Sequence, residues 1–490
     1  MRKSMTMMKR MSLRTAAATL LAATSLAGCA VGPNYVAATP PPRAEVPFTP
    51  SASPEVSTAA PRDDWWQLYD DPVLSGLVQD ALAANTNVRV AVARIERARA
   101  ELRGTRSERL PQTDINGSAT YGRASQAQVL PGFPRQRRTV DGEFAVSYEV
   151  DLFGRVKRGI EASRADLAAT QEDADSVRVT VVADTVLAYV DAASAAEQLT
   201  VAERTIGLLD RLVRITTARA DRGLSQRLDV IRVTQLREQQ AATIPTLVAS
   251  RNGALFRLAT LTGRTPQDLP EAARLRTTTP DVSQPIPVGD GRLLLARRPD
   301  VKAAERRLAG DTARIGVATA DLYPRISLGG SIGTTSIGAT NVFGGGPLRW
   351  LLGPLISWAF PNQEAIRARI GAAKADTQAD LATFDGAVLN ALQETETALS
   401  NYRNALLRKQ RLASARDAAD RAARVGIVRQ GRGAIDAIEV LDSQRTLAQS
   451  QAEYAQATRD VAFAQVDLFR ALGGSWSNPA IASAEGQTPS

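Results

Sequence analysis

The chain has 490 residues, enough for two or three ordinary domains or for one architecture built from very long elements. Aromatic residues are only 5% and charged residues 23%, with alanine, arginine, leucine and valine prominent, which favours long helices over a mixed enzyme fold. Histidine is absent and there is one cysteine, so the commonest general base is missing and neither an intrachain disulfide nor a cysteine-based zinc site can form; the formal charge of +9 leaves near +4 once Arg2, Lys3, Lys9, Arg10 and Arg14 are set aside, too little to argue for nucleic acid.

Residues 1–28 read as an export signal: a basic start, a short apolar run over residues 16–27, then Leu26-Ala27-Gly28-Cys29. The run is too short, and wrongly flanked, for a membrane-spanning helix. The four residues resemble a bacterial lipobox, which implies cleavage before Cys29 and lipidation of its thiol. Ala30 in place of aspartate implies, by the same resemblance, sorting to the outer membrane. Residues 29–62 are rich in proline, with Pro33, Pro40, Pro41, Pro42, Pro50, Pro54 and Pro61 among small residues, and are expected to form an extended tether.

The body is written twice with an offset of about 210 residues. Leu110-Pro111-Gln112 and Ile115-Asn116-Gly117-Ser118 match Tyr323-Pro324-Arg325 and Ser327-Leu328-Gly329-Gly330. Ala162 to Asp166 matches Ala372 to Asp376, Leu228-Asp229-Val230 matches Ala437-Ile438-Glu439, and Leu261-Thr262-Gly263 matches Leu472-Gly473-Gly474. The first repeat is placed at 63–265 and the second at 298–474, with a linker at 266–297 and a tail at 475–490.

Within the first repeat, strands are expected over 113–123 and 140–150. Val140, Gly142, Phe144, Val146, Tyr148 and Val150 fall on one face, and Asp141, Glu143, Ala145, Ser147 and Glu149 on the other. That length and alternation suit a tilted membrane strand of about 9–11 residues, although a soluble half-buried strand alternates in the same way. The second repeat supplies strands at 325–335, with Ile326, Leu328, Gly330 and Ile332 on one face, and at 348–358, with Trp350 and Trp358 as interfacial aromatics. Four strands leave open edges that lipid cannot satisfy, so oligomerisation is required; three copies give twelve strands, an even number able to close around water.

The rest is helical. No proline occurs between Arg155 and Ile244 or between Asn362 and Asn478, so helical hairpins are expected over 156–262 and 362–472. A helix from Val156 to Ala220 would be roughly 100 Å long. Val177, Val181, Val182, Val186, Leu187 and Val190 form its packing stripe. Glycine at 223, and at 431 and 433, supplies the turn of each hairpin. These helices alone would equally suit a periplasmic coiled-coil spacer or adaptor lipoprotein. No phosphate loop or paired carboxylates mark an enzyme, and no cofactor or metal is expected.

Several motifs carry a family resemblance. Cys29-Ala30-Val31-Gly32-Pro33-Asn34-Tyr35, Trp65-Trp66 with Asp71-Pro72 and Leu74, Ala81-Leu82 with Asn85 and Asn87, Gly223-Leu224-Ser225-Gln226, and Arg298-Pro299-Asp300-Val301 together resemble the NodT/OprM branch of TolC-like outer-membrane efflux lipoproteins. The match spans residues 29 to 474. It implies a mainly α protein with a membrane β part: a trimer with a twelve-stranded barrel, four strands per protomer, and a twelve-helix periplasmic α-barrel. It further implies a passive exit duct in the outer membrane, partnered by a periplasmic adaptor and an inner-membrane transporter of the resistance-nodulation-division class. The hairpin turns would meet the adaptor: Arg222, Gly223, Leu224 and Ser225 at the first, and Gln430, Gly431, Arg432 and Gly433 at the second. Asp221 and Arg429, with Arg222 and Arg432, are candidate gate charges between neighbouring hairpins, or else solvated helix ends. The second turn lacks Gly-Leu-Ser, which argues against an equal role. The exported substrate is not legible in the sequence.

Overall fold

The computed structural model describes residues 30–473 apart from 43, 49–53, 133, 283, 338–345, 347 and 436. The export signal, Cys29, most of the second strand–strand loop and the tail therefore lie outside the described residues. In chain order the elements are β1 (Val56–Ser57), α1 (Pro72–Ala84), α2 (Thr86–Ser107), β2 (Gln112–Arg123), β3 (Gln136–Val150), α3 (Arg155–Asp221), α4 (Arg227–Ala241), α5 (Thr243–Leu261), α6 (Glu271–Leu275), β4 (Ile286–Pro287), α7 (Gly291–Arg297), α8 (Pro299–Ala320), β5 (Arg325–Ile337), β6 (Leu348–Ser357), α9 (Glu364–Gly431) and α10 (Ala437–Ala471). Helices α3 and α9 run for 67 and 68 residues, each about 100 Å.

The chain forms two compact units, and they cut across the repeats. Among the described residues, the first takes 30–38, 95–170 and 304–384; the second takes 39–94, 171–303 and 385–473. Each repeat therefore contributes to both, and the strands of the two repeats join in one sheet.

The first unit holds one antiparallel sheet in the order β2-β3-β5-β6, with β3 and β5 central. Register pairs Ile115 with Phe144, Phe144 with Ile332, and Ile332 with Trp350. β3 begins at Gln136 rather than at 140, since Arg137 and Arg138 pair with Gly122 and Tyr121 and lengthen the hairpin into what reads as loop. Beside the sheet, Leu102 of α2 packs on Val156 and Ile160 of α3.

Also in the first unit, the segment after Cys29 is docked rather than free. Val31 N–H donates to the Phe153 carbonyl at 3.1 Å. The buried Arg158 guanidinium donates to the carbonyls of Val31 and Gly32 at 3.3 Å and to Asn34 Oδ1 at 2.7 Å. Close approach demands glycine: Gly154 has φ +77°, and a Cβ there would lie 2.5 Å from that of Ala30.

The second unit packs around α1, α3, α5, α9 and α10. Trp65 stacks on Phe469 with centroids 4.7 Å apart, and Ala419 and Ala423 of α9 pack on Leu447 of α10. Asp71 caps α1, accepting from the amides of Val73 and Leu74 at 2.9 and 3.1 Å, while its other oxygen accepts from buried Tyr189 at 2.9 Å. Asn85 ends α1 and starts α2, accepting from Asn87 N–H at 2.8 Å and donating to the Leu261 carbonyl at 2.9 Å. The most apolar stretch of α3 reaches a mean hydropathy of 1.4 but is 72% buried within the protein, where it serves packing.

Two expectations fail here. The proline-rich segment is no simple tether: Ala44 and Phe48 are buried, Gly291 N–H donates to the Val46 carbonyl at 3.2 Å, and β1 pairs in parallel with β4. Proline denied the segment its own hydrogen bonds, so it takes them from the 286–291 stretch, which is accordingly no mere linker. The returning helix of the first hairpin is also divided, into α4 and α5, at Ala242, ahead of Pro245, whose missing N–H interrupts the ladder.

Candidate functional site

Across the four strands, residues in register share a face. One carries Thr113, Ile115, Ala119 and Tyr121; Val140, Phe144, Val146, Tyr148 and Val150; Ile326, Leu328 and Ile332; and Leu348, Trp350, Leu352 and Ile356. The row through its middle is exposed: Ile115 84%, Phe144 41%, Ile332 51% and Trp350 74%. A contiguous apolar face of this size left open by the protein's own packing fits hydrocarbon, not water. Phe153 stacks on Tyr323 at 4.5 Å, and Trp358 on Phe360 at 4.6 Å, at the end of the sheet where the helices begin. Trp358 Nε1–H donates to the Leu322 carbonyl at 3.0 Å, as an interfacial tryptophan does with its polar edge.

The opposite face is polar, with Asp114, Asn116, Ser118, Asp141, Glu143, Ser147, Ser331 and Thr335. Here Arg349 of β6 reaches across Gly333 of β5 to Asp141 and Glu143 of β3, at 2.7 Å each, and Thr335 donates to Asp141 at 2.9 Å. Glycine at 333 leaves the path clear. Sequence reasoning missed this cluster, because the alternation of β6 is blurred by Leu351 and Leu355, which share the face with Arg349; an arginine beside Trp350 was the available signal. The sheet edges at β2 and β6 pair with no strand among the described residues.

In the second unit the two hairpin turns share one backbone geometry. At the first, Gly223 has φ +72°, and Leu224 N–H donates to the Arg219 carbonyl at 2.8 Å. At the second, Gly433 has φ +73°, and Ala434 N–H donates to the Arg429 carbonyl at 3.0 Å. Both are helix C-caps closed by a left-handed glycine. Gly431 is instead the last residue of α9. At the first turn, Ser225 and the Gln226 N–H donate to Asp229, the third residue of α4. Arg222, Leu224, Arg432 and Gly433 are exposed, as are Asp221 and Arg429, and neither of these last two has a side-chain partner among the described residues.

The Arg298-Pro299-Asp300 motif has a packing role. Arg298 donates to Asp300 at 2.7 Å, to Glu394 at 2.8 Å and to the Ala471 carbonyl at 3.0 Å, at the edge of a cavity of about 480 Å³. Burial works against its charge, but the two carboxylates more than compensate and raise its pKa above the ordinary arginine value. In the same cavity wall burial raises the Asp467 carboxyl, with only Arg470 opposing.

A protomer with an outward apolar sheet, a polar inner face and paired helical hairpins about 100 Å long has the fold of TolC-like outer-membrane channels. The outer-membrane channel OprN superposes with a TM-score of 0.84 at 34% identity, covering 91% of this chain and all of that one. Residues 77–264 and 291–474 match the family of outer membrane efflux proteins, and the chain belongs to it. Outer membrane protein OprJ of Pseudomonas aeruginosa is 30% identical over 469 residues, 93% of this chain and 95% of that protein. Nodulation protein T of Rhizobium leguminosarum bv. trifolii is 29% identical over 458 residues, covering 92% and 96%.

Proposed function

We propose that this outer-membrane efflux component works as a passive trimeric duct, receiving drugs or other small molecules from an inner-membrane pump through a periplasmic adaptor. One observation carries the reading: a four-stranded sheet, apolar on one face and polar on the other, whose edges β2 and β6 are both open among the described residues. Unpaired edge groups in lipid cost several kcal/mol each, so β2 of one copy must pair with β6 of the next. Three copies bring twelve strands, and the polar face with Arg349, Asp141 and Glu143 then lines the water-filled lumen. A coiled-coil spacer has no use for such a sheet. Relatives named for solvent and toluene efflux in Pseudomonas putida support small apolar cargo as the class.

Lipidation at Cys29 would hold the chain's start at the periplasmic leaflet. The tips at Arg222 to Ser225 and Gly431 to Gly433 would receive the adaptor, transporters of the resistance-nodulation-division class being the expected source of substrate. Asp221 and Arg429, which have no side-chain partner among the described residues, would pair with a neighbouring protomer and hold the duct shut.

Planar-bilayer recording of the purified protein tests both levels. Steady conductance from a heat-modifiable trimer is expected, with higher conductance after Asp221→Ala and Arg429→Ala. Unchanged conductance removes those two as gate residues, and a soluble monomer that never enters the outer membrane overturns the duct.

A further inference from the structure

Within the first unit, Ala30, Asn34, Arg109, Lys157, Arg158, Ile160, Glu161 and Arg164 line a half-open cavity of about 470 Å³. Four cations line it against one carboxylate, and Glu161 is already bound to Arg158 at 2.8 Å. The neighbouring acids are engaged elsewhere. Glu108 and Glu149 bind Arg155 at 3.1 and 2.9 Å, and Asp151 accepts from the amides of Val156 and Lys157 at 3.1 and 2.8 Å. Arg109, Lys157 and Arg164 are exposed and have no side-chain partner among the described residues.

The cavity's position identifies what such a cluster would bind. Arg109 lies just before β2 and Lys157 just after β3, so the cations sit at the end of the sheet where the aromatic pairs Phe153–Tyr323 and Trp358–Phe360 gather. That end marks the boundary between hydrocarbon and headgroups. Val31, two residues after Cys29, is tied to the Phe153 carbonyl, and Ala30 forms part of the cavity wall. Arg158 is spent on holding residues 31–34 in place, which leaves the other three cations to a ligand.

We propose that this pocket binds the phosphodiester headgroup of an anionic phospholipid in the periplasmic leaflet, beside the chain's own anchor. Arginine forks match phosphate oxygens in pairs, while Lys157 acts as a point charge on the same group. The inference rests on the sheet lying in the outer membrane, as proposed above.

The test uses the full-length protein in detergent and measures binding of short-chain phosphatidylglycerol, short-chain phosphatidylethanolamine and inorganic phosphate by native mass spectrometry. Phosphatidylglycerol should bind in clear preference to the other two. Each of Arg109→Gln, Lys157→Gln and Arg164→Gln should weaken it about fivefold, and the triple variant about a hundredfold. Lys157→Arg should keep the preference, which separates charge from folding. Equal binding of phosphatidylglycerol by the triple variant overturns the proposal, and so does inorganic phosphate binding as tightly as the lipid. Bilayer conductance is recorded on the parent protein alongside: no lipid preference with normal conductance sinks the pocket alone, and a clear preference without conductance sinks the duct alone.

Discussion

Ile332 and Ser331 are neighbours on β5 that point to opposite faces, and exchanging each for arginine tests which face meets lipid. Ile332 sits in the row Ile115–Phe144–Ile332–Trp350, midway along the sheet and half exposed. An arginine at that depth on the lipid face costs about 2–4 kcal/mol. Three copies in one barrel raise the cost to about 6–12 kcal/mol if the sites act independently. Ser331 lies on the polar face, in register with Ala145 and Leu351 and one step from the Glu143–Gly333–Arg349 row, where an added cation meets water and carboxylates. Its cost there should be near zero. The assay is the fraction of heat-modifiable trimer in outer-membrane preparations, followed by guanidinium unfolding of each variant in lipid vesicles. Ile332→Arg should abolish or severely deplete the trimer while Ser331→Arg assembles as the parent does. Equal losses, or the reverse order, would refute the assignment of the faces and with it the lumen.

Two further outcomes concern the second unit. Arg298→Ala leaves Asp300 and Glu394 without this donor and the Ala471 carbonyl with only the Thr395 hydroxyl at 3.3 Å; the expected loss is about 1–3 kcal/mol, below that of a fully buried pair because Glu394 is 56% exposed, and thermal unfolding reads it. Asp467 has a folded-state pKa raised by burial above the ordinary 3.8, so the folded protein holds that proton more tightly and stability falls as pH climbs from that value through the raised one. Asp467→Asn should remove that decline and stabilise the protein at neutral pH; denaturant midpoints measured across the acid range check the sign, and a parent whose stability rises there only in the presence of Asp467 contradicts it.

What the sequence disclosed follows from which forces are local. The period-two patterns of β2, β3 and β5 were legible because alternate residues meet hydrocarbon and water whatever the partner strand does. Helices α3 and α9 were legible through what they lack, since a single proline would have broken them. The Arg349 cluster was not, because it depends on register: Asp141, Glu143 and Arg349 come from strands about 200 residues apart in sequence and meet only when β5 intervenes with Gly333. The docking of residues 30–48 was hidden for a related reason. Proline signals that a segment cannot supply its own hydrogen bonds, but not that Arg158 and Gly291 supply them from elsewhere.

The hairpin turns show how conformation can be conserved between repeats while chemistry is not. Gly223-Leu224-Ser225 and Gly433-Ala434-Ile435 differ in every residue after the glycine, yet each glycine is left-handed and each turn closes with a bond from the next amide to a carbonyl five residues back. A left-handed cap asks only for a missing Cβ, and a Cβ added at either glycine would meet nothing within 4 Å that demands more. Unequal sequences therefore give equal backbones, and any difference in what the two tips do must come from side chains: Leu224, Leu228 and Ile231 stand exposed around the first, and Val425, Ile427, Val428 and Ile438 around the second. If both tips receive the adaptor, they offer it the same turn bordered by different apolar shapes, which lets one sequence unit, duplicated, present two distinct docking surfaces.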